Sequence, residues 1–233
     1  MTRTRLALFD VDGTLVWTHG AGRRSMQRAL VATVGRAGPM DHRYDGKTDR
    51  QIVREAMRHE GFTDADVNAR MDAVLARYLI ELSNELGTES HGAKLLPGVA
   101  RLLDALEARD DVVLGLLTGN LVPGAERKLR AVGVDFARFV VGAFGSDHEQ
   151  RAELPRIACA RASAYLGRPV GGDACVIIGD TPNDVACARP IGARAIAVAT
   201  GSYDVTALSA CGAHAVFADL SDAEAVLHAI LDA

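Results

Sequence analysis

The chain has 233 residues, of which 48% are hydrophobic and 24% charged, a balance that is ordinary for a globular protein and excludes a disordered chain. The net charge of −4 gives no overall basic field, so composition does not support nucleic-acid binding. Only four consecutive apolar residues precede Asp10, too few for a secretory signal or a membrane span. We therefore expect a cytoplasmic protein with neither a nucleic-acid nor a membrane partner.

The first predicted element is a strand that ends in two acids. Residues 6–9 are apolar and residues 10–14 are Asp-Val-Asp-Gly-Thr, which predicts a buried parallel strand that opens into a turn. Asp-Gly after a strand is also a common turn signal, but an unpaired buried carboxylate at Asp10 would be costly. Ligands of parallel sheets bind beyond the carboxyl ends of the strands, where two acids repel each other unless a cation lies between them. Asp10 and Asp12 therefore indicate a site for a hard divalent cation.

Helical patterns follow this strand, with no convincing strand among them. Apolar residues recur at helical spacing over three stretches, at about 26–34, 48–61 and 63–86. Because the remainder of the chain alternates strand and helix, we interpret this part as a helical insertion. We place the helical insertion at residues 17–91 and the α/β core at residues 1–16 and 92–233.

The rest of the chain alternates strand and helix to its end. Strands are predicted at 112–117, 139–142, 174–178, 193–199 and 215–217. Helices are predicted from 98, at 123–132 and 152–166, through 188, in a short stretch after 199, and from 221. Strict alternation predicts an α/β fold with a doubly wound, mostly parallel sheet covered by helices on both faces.

Polar side chains also follow two of the later strands. Thr118 and Asn120 follow one of them, and Asp180 and Asp184 follow another. Each has a structural explanation when taken alone, since Thr-Gly-Asn is a plausible loop and Asp184 suits the first turn of a helix. Polar groups at three strand ends of one alternating sheet together indicate a functional site.

This donor set favours phosphoryl chemistry with Mg²⁺. Mg²⁺ prefers oxygen ligands from one or two carboxylates and a substrate phosphate, which suits Asp10 and Asp180 with a backbone carbonyl. Thr118 and nearby backbone N–H groups would hold the remaining phosphate oxygens. Arg151 or Lys128 would offset the charge that develops during transfer.

The motifs resemble those of the haloacid dehalogenase superfamily of aspartyl-phosphate hydrolases, and within it the phosphoglycolate phosphatase-like branch. Residues 10–14 match the first motif, residues 117–120 (Leu-Thr-Gly-Asn) the second, and residues 179–184 (Gly-Asp-Thr-Pro-Asn-Asp) the fourth. The resemblance covers nearly the whole chain. It implies a Rossmann-like core, and the helical insertion resembles a C1-type cap that closes over the substrate.

The resemblance also implies roles for individual residues. Asp10 is expected to be the nucleophile that forms an aspartyl-phosphate, and Asp12 to protonate the leaving oxygen and then deprotonate water. Thr118 is expected to bind phosphate. Asp180 would join Asp10 and the Asp12 carbonyl on Mg²⁺, and Asp184 would support the metal's shell. Further substrate contacts are expected from Gly13, Thr14, Gly119 and Asn120.

Cationic residues complete the predicted site. The family's third motif is usually a lysine ahead of the helix that precedes the fourth motif, and here Arg151 occupies that position, with Lys128 as the alternative. Lys47 resembles the segment that reaches from the cap to the substrate, although a solvated loop charge also explains it. Arg23 or Arg24 would meet an anionic substrate tail, and an exposed helix face explains both equally well.

The leading hypothesis is a Mg²⁺-dependent phosphatase for a small phosphorylated metabolite, with 2-phosphoglycolate suggested by the branch resemblance. A phosphosugar mutase or a phosphonatase of the same superfamily is the alternative, although the helical insertion has no obvious Schiff-base lysine for a phosphonatase. A non-catalytic regulatory domain with this fold is the third hypothesis. Intact Asp10, Asp12 and Asp180 argue against it.

Overall fold

The computed structural model describes residues 4–88 and 91–232, which contain eight strands and nine α-helices. The strands are β1 (Arg5–Phe9), β2 (Val16–Trp17), β3 (Lys94–Leu95), β4 (Val112–Thr118), β5 (Val141–Phe144), β6 (Cys175–Gly179), β7 (Arg194–Val198) and β8 (Ala215–Phe217). The helices are α1 (Ala21–Val34), α2 (Asp49–His59), α3 (Asp64–Leu86), α4 (Val99–Glu107), α5 (Val122–Ala131), α6 (Leu154–Leu166), α7 (Pro182–Ala188), α8 (Val205–Ala210) and α9 (Ala223–Leu231). No helix within the described ranges has the length and apolar character needed to cross a membrane.

Six strands form one parallel sheet in the order β5-β4-β1-β6-β7-β8. Successive residues of β1 point to opposite faces, so Leu6 and Leu8 pack into one hydrophobic cluster and Ala7 and Phe9 into another. Helices α4, α5 and α9 cover the face of Ala7 and Phe9, and α6, α7 and α8 cover the other face. The predicted doubly wound parallel α/β fold is confirmed.

Helices α1, α2 and α3 form a third hydrophobic cluster beside the sheet. Met26 of α1, Val53 of α2 and Val74 of α3 are buried in it. Leu121, which precedes α5, also packs into this cluster. The three helices predicted between residues 17 and 91 are therefore present, and they pack mainly against one another.

Two details of the fold differ from the sequence prediction. Strands β2 and β3 pair as a short antiparallel ribbon at the two ends of the helical insertion. A strand of two residues is too short to show the alternation by which strands are predicted. The strand expected at 139–142 is β5, at Val141–Phe144, because a 3₁₀ turn at Phe136–Arg138 occupies part of the preceding connection.

The helical insertion is closed onto the sheet through backbone contacts. The Asp49 N–H donates to the Gly119 carbonyl at 2.8 Å, and Asp49 Oδ2 accepts from the Leu121 N–H at 2.8 Å. A Cβ on Gly119 would lie 2.0 Å from the Lys47 carbonyl oxygen, so only glycine permits this approach. The loop at Gly119 is therefore a docking point for the insertion as well as part of the predicted phosphate site.

Asp49 buries a carboxylate at this interface. Burial raises the pKa of Asp49 to about 6, against the lowering effects of Lys128 and of the Leu121 N–H. An acid whose pKa is higher in the folded than in the unfolded protein binds more protons when folded. Through Asp49, the protein therefore loses stability as the pH rises from 3.8, the ordinary pKa of an aspartate, to about 6, the pKa of Asp49 in the folded protein.

Asp49→Asn removes this titration and keeps an oxygen that can accept from Leu121. We expect the unfolding free energy of the variant, relative to the parent, to be higher at pH 7 than at pH 4 by about 1–3 kcal/mol, since one pKa unit is worth about 1.4 kcal/mol. Urea unfolding of both proteins across roughly pH 4 to 7 measures this change. If the difference in unfolding free energy between variant and parent were the same at every pH, folding would not raise the pKa of Asp49.

Gly119→Ala tests the docking contact. The added methyl group would force the Lys47 carbonyl away, so we expect the unfolding free energy to fall by about 1–3 kcal/mol. Gly124→Ala, five residues away within α5, is the matched control, because its Cβ would meet no atom closer than 3.7 Å. Equal stability of the two variants in urea unfolding would show that the insertion does not need this close approach.

Candidate active site

Three adjacent strands at the centre of the sheet bring three predicted residues to one edge. Strands β4, β1 and β6 are neighbours, and Thr118, Asp10 and Asp180 stand at their carboxyl ends. Thr118 is fully buried, and Asp10 and Asp180 are each 5% exposed. This edge is where open parallel sheets bind their ligands.

Asp10, Asp180 and Asp184 form a carboxylate cluster, in which one oxygen of each residue lies within 4.8 Å of the others. Burial raises the pKa of Asp10 to about 6; Arg151 opposes this effect, and Asp184 and Asp12 add to it. Burial, together with Asp184 and Asp10, raises the pKa of Asp180 well above its usual value. The neighbouring protein groups thus offset the repulsion within the carboxylate cluster only in part.

The carboxylate cluster fits a hard divalent cation. Asp10 Oδ1 is buried and accepts no hydrogen bond from the described residues, although Arg151 Nη2 lies 3.3 Å away. Carboxylate oxygens without sulfur or nitrogen ligands are the donors that Mg²⁺ prefers. A Cβ on Gly13 or Gly201 would lie 2.3 or 1.8 Å from Asp180 Oδ2, so the backbone encloses this carboxylate closely.

Arg151, the predicted third-motif residue, lies among these acids. Its guanidinium contacts Asp184 Oδ1, lies 3.3 Å from Asp10 Oδ1 and donates to the Leu117 carbonyl at 3.2 Å. Burial opposes the charge of Arg151, but Asp184 and Asp10 outweigh it and raise the pKa of the guanidinium. A fixed positive charge therefore stands beside the predicted nucleophile.

The Asp12 side chain points to a second cation. Asp12 Oδ2 accepts from Lys128 Nζ at 2.6 Å and from Asn120 Nδ2 at 2.8 Å. Lys128, which is 3% exposed, also donates to Asn120 Oδ1 at 2.6 Å. Burial opposes its charge, but Asp12 and other neighbours raise the pKa of Lys128. The two cations that the sequence left as alternatives, Arg151 and Lys128, thus both lie in the site, each beside a different acid.

Two residues predicted for the site, Thr14 and Asp184, do not line the cavity and instead hold other groups of the site. Thr14 is fully buried and its hydroxyl donates to Asp180 Oδ1 at 3.3 Å, so it supports a carboxylate where a substrate contact was expected. Asp184 is 1% exposed, and its Oδ2 accepts from the Thr181 N–H and hydroxyl in a capping box at the start of α7. Asp184 therefore acts as a helix-capping acid and also pairs with Arg151.

A cavity of about 400 Å³ separates the strand ends from the helical insertion. Asp10, Asp12 and Thr118 line it from the core, and Lys47 lines it from the insertion. The Lys47 ammonium, however, donates to Glu55 Oε2 at 2.5 Å. Its positive charge is therefore already paired within the insertion.

The neighbouring arginines of α1 differ in direction. Arg23 lines the cavity, donates to the His42 carbonyl at 2.7 Å and stacks 4.2 Å from the centre of the Tyr44 ring. No carboxylate of residues 4–88 or 91–232 forms an ion pair with Arg23. Arg24 is 49% exposed and pairs with Glu85. Arg23 alone of the two faces the site.

Two tyrosines of the insertion also line the cavity and were not predicted from the sequence. Tyr44 supports the Arg23 guanidinium, and the Tyr78 hydroxyl interacts with Lys128. Tyr78 occupies the apolar stripe of α3, where a core tyrosine and a site tyrosine give the same pattern. The sequence therefore contains no signal that separates the two.

Comparison with known proteins places the chain in a family. A family model for haloacid dehalogenase-like hydrolases matches residues 7–189. The phosphoglycolate phosphatase of Rhodospirillum rubrum is 30% identical over 222 residues, which cover 93% of this chain and 88% of that protein. The phosphoglycolate phosphatase of Synechococcus elongatus is 28% identical over 212 residues, which cover 87% of each chain.

Solved structures share the fold. A hydrolase from Pseudomonas syringae has a TM-score of 0.73 at 23% identity, covering 98% of this chain and 99% of its own. CbbY from Rhodobacter sphaeroides, solved in complex with phosphate, has a TM-score of 0.70 at 22% identity, covering 99% and 100%. The resemblance inferred from the motifs is confirmed: the chain belongs to the haloacid dehalogenase-like hydrolase family, in its phosphoglycolate phosphatase-like branch.

Proposed function

We propose that this haloacid dehalogenase-like phosphatase hydrolyses the phosphomonoester of a small carboxylic acid, such as 2-phosphoglycolate, through an aspartyl-phosphate on Asp10. The observation that carries the proposal is the placement of Asp10, Thr118 and Asp180 at one sheet edge beneath a cavity with cations on both sides. The names of the curated relatives support the substrate class. The cytoplasmic location stays a prediction from the sequence.

Mg²⁺ is the proposed cofactor. Asp10, Asp180 and the backbone carbonyl of Asp12 would hold it, with Asp184 supporting its shell. When bound, the cation supplies positive charge that lets an anionic nucleophile approach an anionic phosphate. Burial, the main cause of the raised pKa values of Asp10 and Asp180, supports a site that gains from a cationic partner.

The residues of the chain divide the chemistry among them. A carboxylate oxygen of Asp10 attacks phosphorus while the bond to the leaving oxygen breaks and Asp12 delivers a proton to that oxygen. Water then attacks the phosphorus of the aspartyl-phosphate, Asp12 takes a proton from it, and Asp10 is regenerated with release of phosphate. Thr118 Oγ1 accepts from Asn120 Nδ2 at 2.8 Å, and its hydroxyl interacts with the Asp10 carboxylate, so its hydrogen would be donated to a phosphate oxygen once substrate is bound. Arg151 offsets the charge of the transferring group.

The helical insertion is proposed to select the leaving group. It closes the cavity at Gly119 and Leu121, which would exclude water during transfer. Arg23 lines the cavity and pairs with no acid among the described residues, which suits a carboxylate on the substrate tail. We propose that residues 17–91 act as a cap whose ends lie at the ribbon of β2 and β3.

A phosphonatase fits this arrangement less well. Such an enzyme needs a cap lysine that is free to form a Schiff base. Lys47 is the only lysine between residues 17 and 91, and it is paired with Glu55. A mutase would return the phosphoryl group to its substrate, so product analysis separates it from a phosphatase.

Phosphate release tests the proposed function directly. The parent protein is expected to release inorganic phosphate from 2-phosphoglycolate with Mg²⁺ and to lose this activity in EDTA. Asp10→Asn should lower kcat by at least about 10³-fold, roughly 4 kcal/mol of barrier, because an amide is not a nucleophile here. Asp72→Asn, which removes a carboxylate that is 89% exposed, is the control.

Three outcomes would contradict this proposal. Activity of Asp10→Asn within about tenfold of the parent would move the nucleophile to another residue. An isomerised phosphate ester without phosphate release would indicate the mutase alternative. No release from any member of a broad panel of phosphorylated metabolites would favour the regulatory domain. Matching thermal unfolding curves must show that each variant is folded.

Arg23 and Arg24, neighbours in α1, provide a matched pair for testing the substrate tail. Arg23→Ala should lower kcat/KM for 2-phosphoglycolate by about 10–100-fold, the range expected for a lost charge-assisted hydrogen bond. The same variant should change kcat/KM for p-nitrophenyl phosphate, which carries no anionic tail, by less than about threefold. Arg24→Ala should leave both values unchanged, because Arg24 pairs with Glu85 outside the cavity.

Lys47→Ala tests the remaining possibility, that Lys47 and not Arg23 contacts the substrate tail. Because Glu55 already neutralises Lys47, its loss should affect 2-phosphoglycolate less than the loss of Arg23 does. A larger selective effect at Lys47 would make Lys47 the residue that contacts the tail. Equal losses on both substrates from Arg23→Ala would assign Arg23 to the common phosphate site or to the fold. All assays need one ionic strength, since long-range attraction of anions depends on salt.

A further inference from the structure

The Asp12 carboxylate is held at one of its two oxygens. Lys128 Nζ and Asn120 Nδ2 both donate to Asp12 Oδ2, at 2.6 and 2.8 Å. Within the described chain, no hydrogen bond reaches Oδ1, and the Asp12 side chain is 41% exposed toward the cavity that it lines. One oxygen is therefore fixed and the other is open to a substrate.

The two donors hold each other as well as Asp12. Lys128 Nζ donates to Asn120 Oδ1 at 2.6 Å, which fixes which end of the amide faces the acid. The Asn120 amide nitrogen then reaches both Asp12 Oδ2 and Thr118 Oγ1, each at 2.8 Å. A carboxylate bound by two donors from different directions loses the freedom to rotate about its last bond.

Lys128 also interacts with the Tyr78 hydroxyl and with buried Asp49, but its two 2.6 Å hydrogen bonds go to Asp12 and Asn120. It is 3% exposed, and burying a lysine is costly unless the charge is paired. Arg151 already serves the phosphoryl side of the site, through Asp10 and Asp184. A simple ion pair would explain the charge of Lys128, but it would not explain two donors on the same oxygen with the other oxygen facing the cavity.

We propose that Lys128 is a positioning residue for proton transfer to the leaving group. Lys128 and Asn120 hold Asp12 Oδ2, so that Oδ1 carries the proton to the leaving oxygen in the first displacement and receives a proton from water in the second. This inference rests on the proposed function and adds a residue to it. Lys128 itself neither gains nor loses a proton in these steps.

The leaving group provides the first test. Lys128→Met should lower kcat for an alkyl ester such as 2-phosphoglycolate by at least about 30-fold, because general acid catalysis typically contributes about 10²–10⁴-fold. For p-nitrophenyl phosphate, whose leaving group needs little protonation, the loss should stay below about threefold. KM should change little for either substrate. Lys128→Arg should restore part of the lost kcat, and Lys94→Met, at an exposed lysine, is the control for removing one positive charge.

A double-mutant cycle tests whether Lys128 acts through Asp12. Asp12→Asn removes the proton donor. Adding Lys128→Met to that variant should lower kcat for 2-phosphoglycolate by less than about a further threefold. The same loss from Lys128→Met in both backgrounds would overturn the proposal. Equal losses on the alkyl and p-nitrophenyl esters would overturn it too, since they would assign Lys128 to phosphate binding or to the fold.

A measurement without turnover keeps the inference separate from the proposed function. In crystal structures, Asp12 of the parent should show one side-chain conformer with Oδ2 toward Lys128. In Lys128→Met the same side chain should be rotated or present in more than one conformer. An unchanged Asp12 conformer in the variant would overturn the positioning role, even if the natural substrate were not the one proposed.

Discussion

Repulsion between carboxylates is the constraint on which this site depends. Oxygens of Asp10, Asp180 and Asp184 lie within 4.8 Å of one another in a buried place, and Asp12 stands close by. Such an arrangement stays ionised only with compensating positive charge, since like charges in a poorly solvated site are expensive. Two buried cations, Arg151 and Lys128, provide part of that charge, and a divalent ion would provide the rest. The same charges that make the site costly to fold would give it affinity for the proposed metal and phosphate.

Much of the fold and of the site could be predicted from the sequence, because strand ends are easy to locate. Parallel neighbours end at the same edge, so apolar runs followed by Asp10, Thr118 and Asp180 were enough to place these three residues together. The direction of helical side chains was harder, because adjacent residues on a helix point about 100° apart and only packing decides which faces inward. The sequence therefore does not distinguish Arg23 from Arg24. In the structure Arg23 lines the cavity, whereas Arg24 pairs with Glu85 outside it. The ribbon of β2 and β3 was not predicted, because a strand of two residues is too short to show alternating hydrophobicity.

Some residues have more than one role, and a sequence pattern shows only one of them. Asp184 caps α7 as an ordinary first-turn acid and also contacts Arg151. It therefore has both the structural role and the place beside the site that the sequence offered as alternatives. Gly119 was predicted as a phosphate contact, and its lack of a side chain also admits the Lys47 carbonyl. Thr14 is the last residue of the first motif, yet its hydroxyl donates to Asp180 from behind the cavity. In each case the second partner comes from a distant part of the chain, which local pattern does not specify.

The arrangement separates phosphoryl chemistry from choice of substrate. The groups proposed to act on phosphorus stand at the ends of central strands, where the backbone is fixed by hydrogen bonds on both sides. The groups proposed to meet the rest of the substrate belong to the helical insertion, which meets the core at Asp49 and Thr48 and through the Arg54–Glu149 ion pair. Because the sheet's own hydrogen bonds hold the strand ends, side chains of the insertion can change without moving them. Lys47 pairs with Glu55 and Arg43 pairs with Asp45, so among the described residues of the insertion Arg23 is the cavity-lining cation proposed to meet an anionic tail. A change in Glu55 would therefore alter the charge facing the substrate as directly as a change in Lys47 or Arg23.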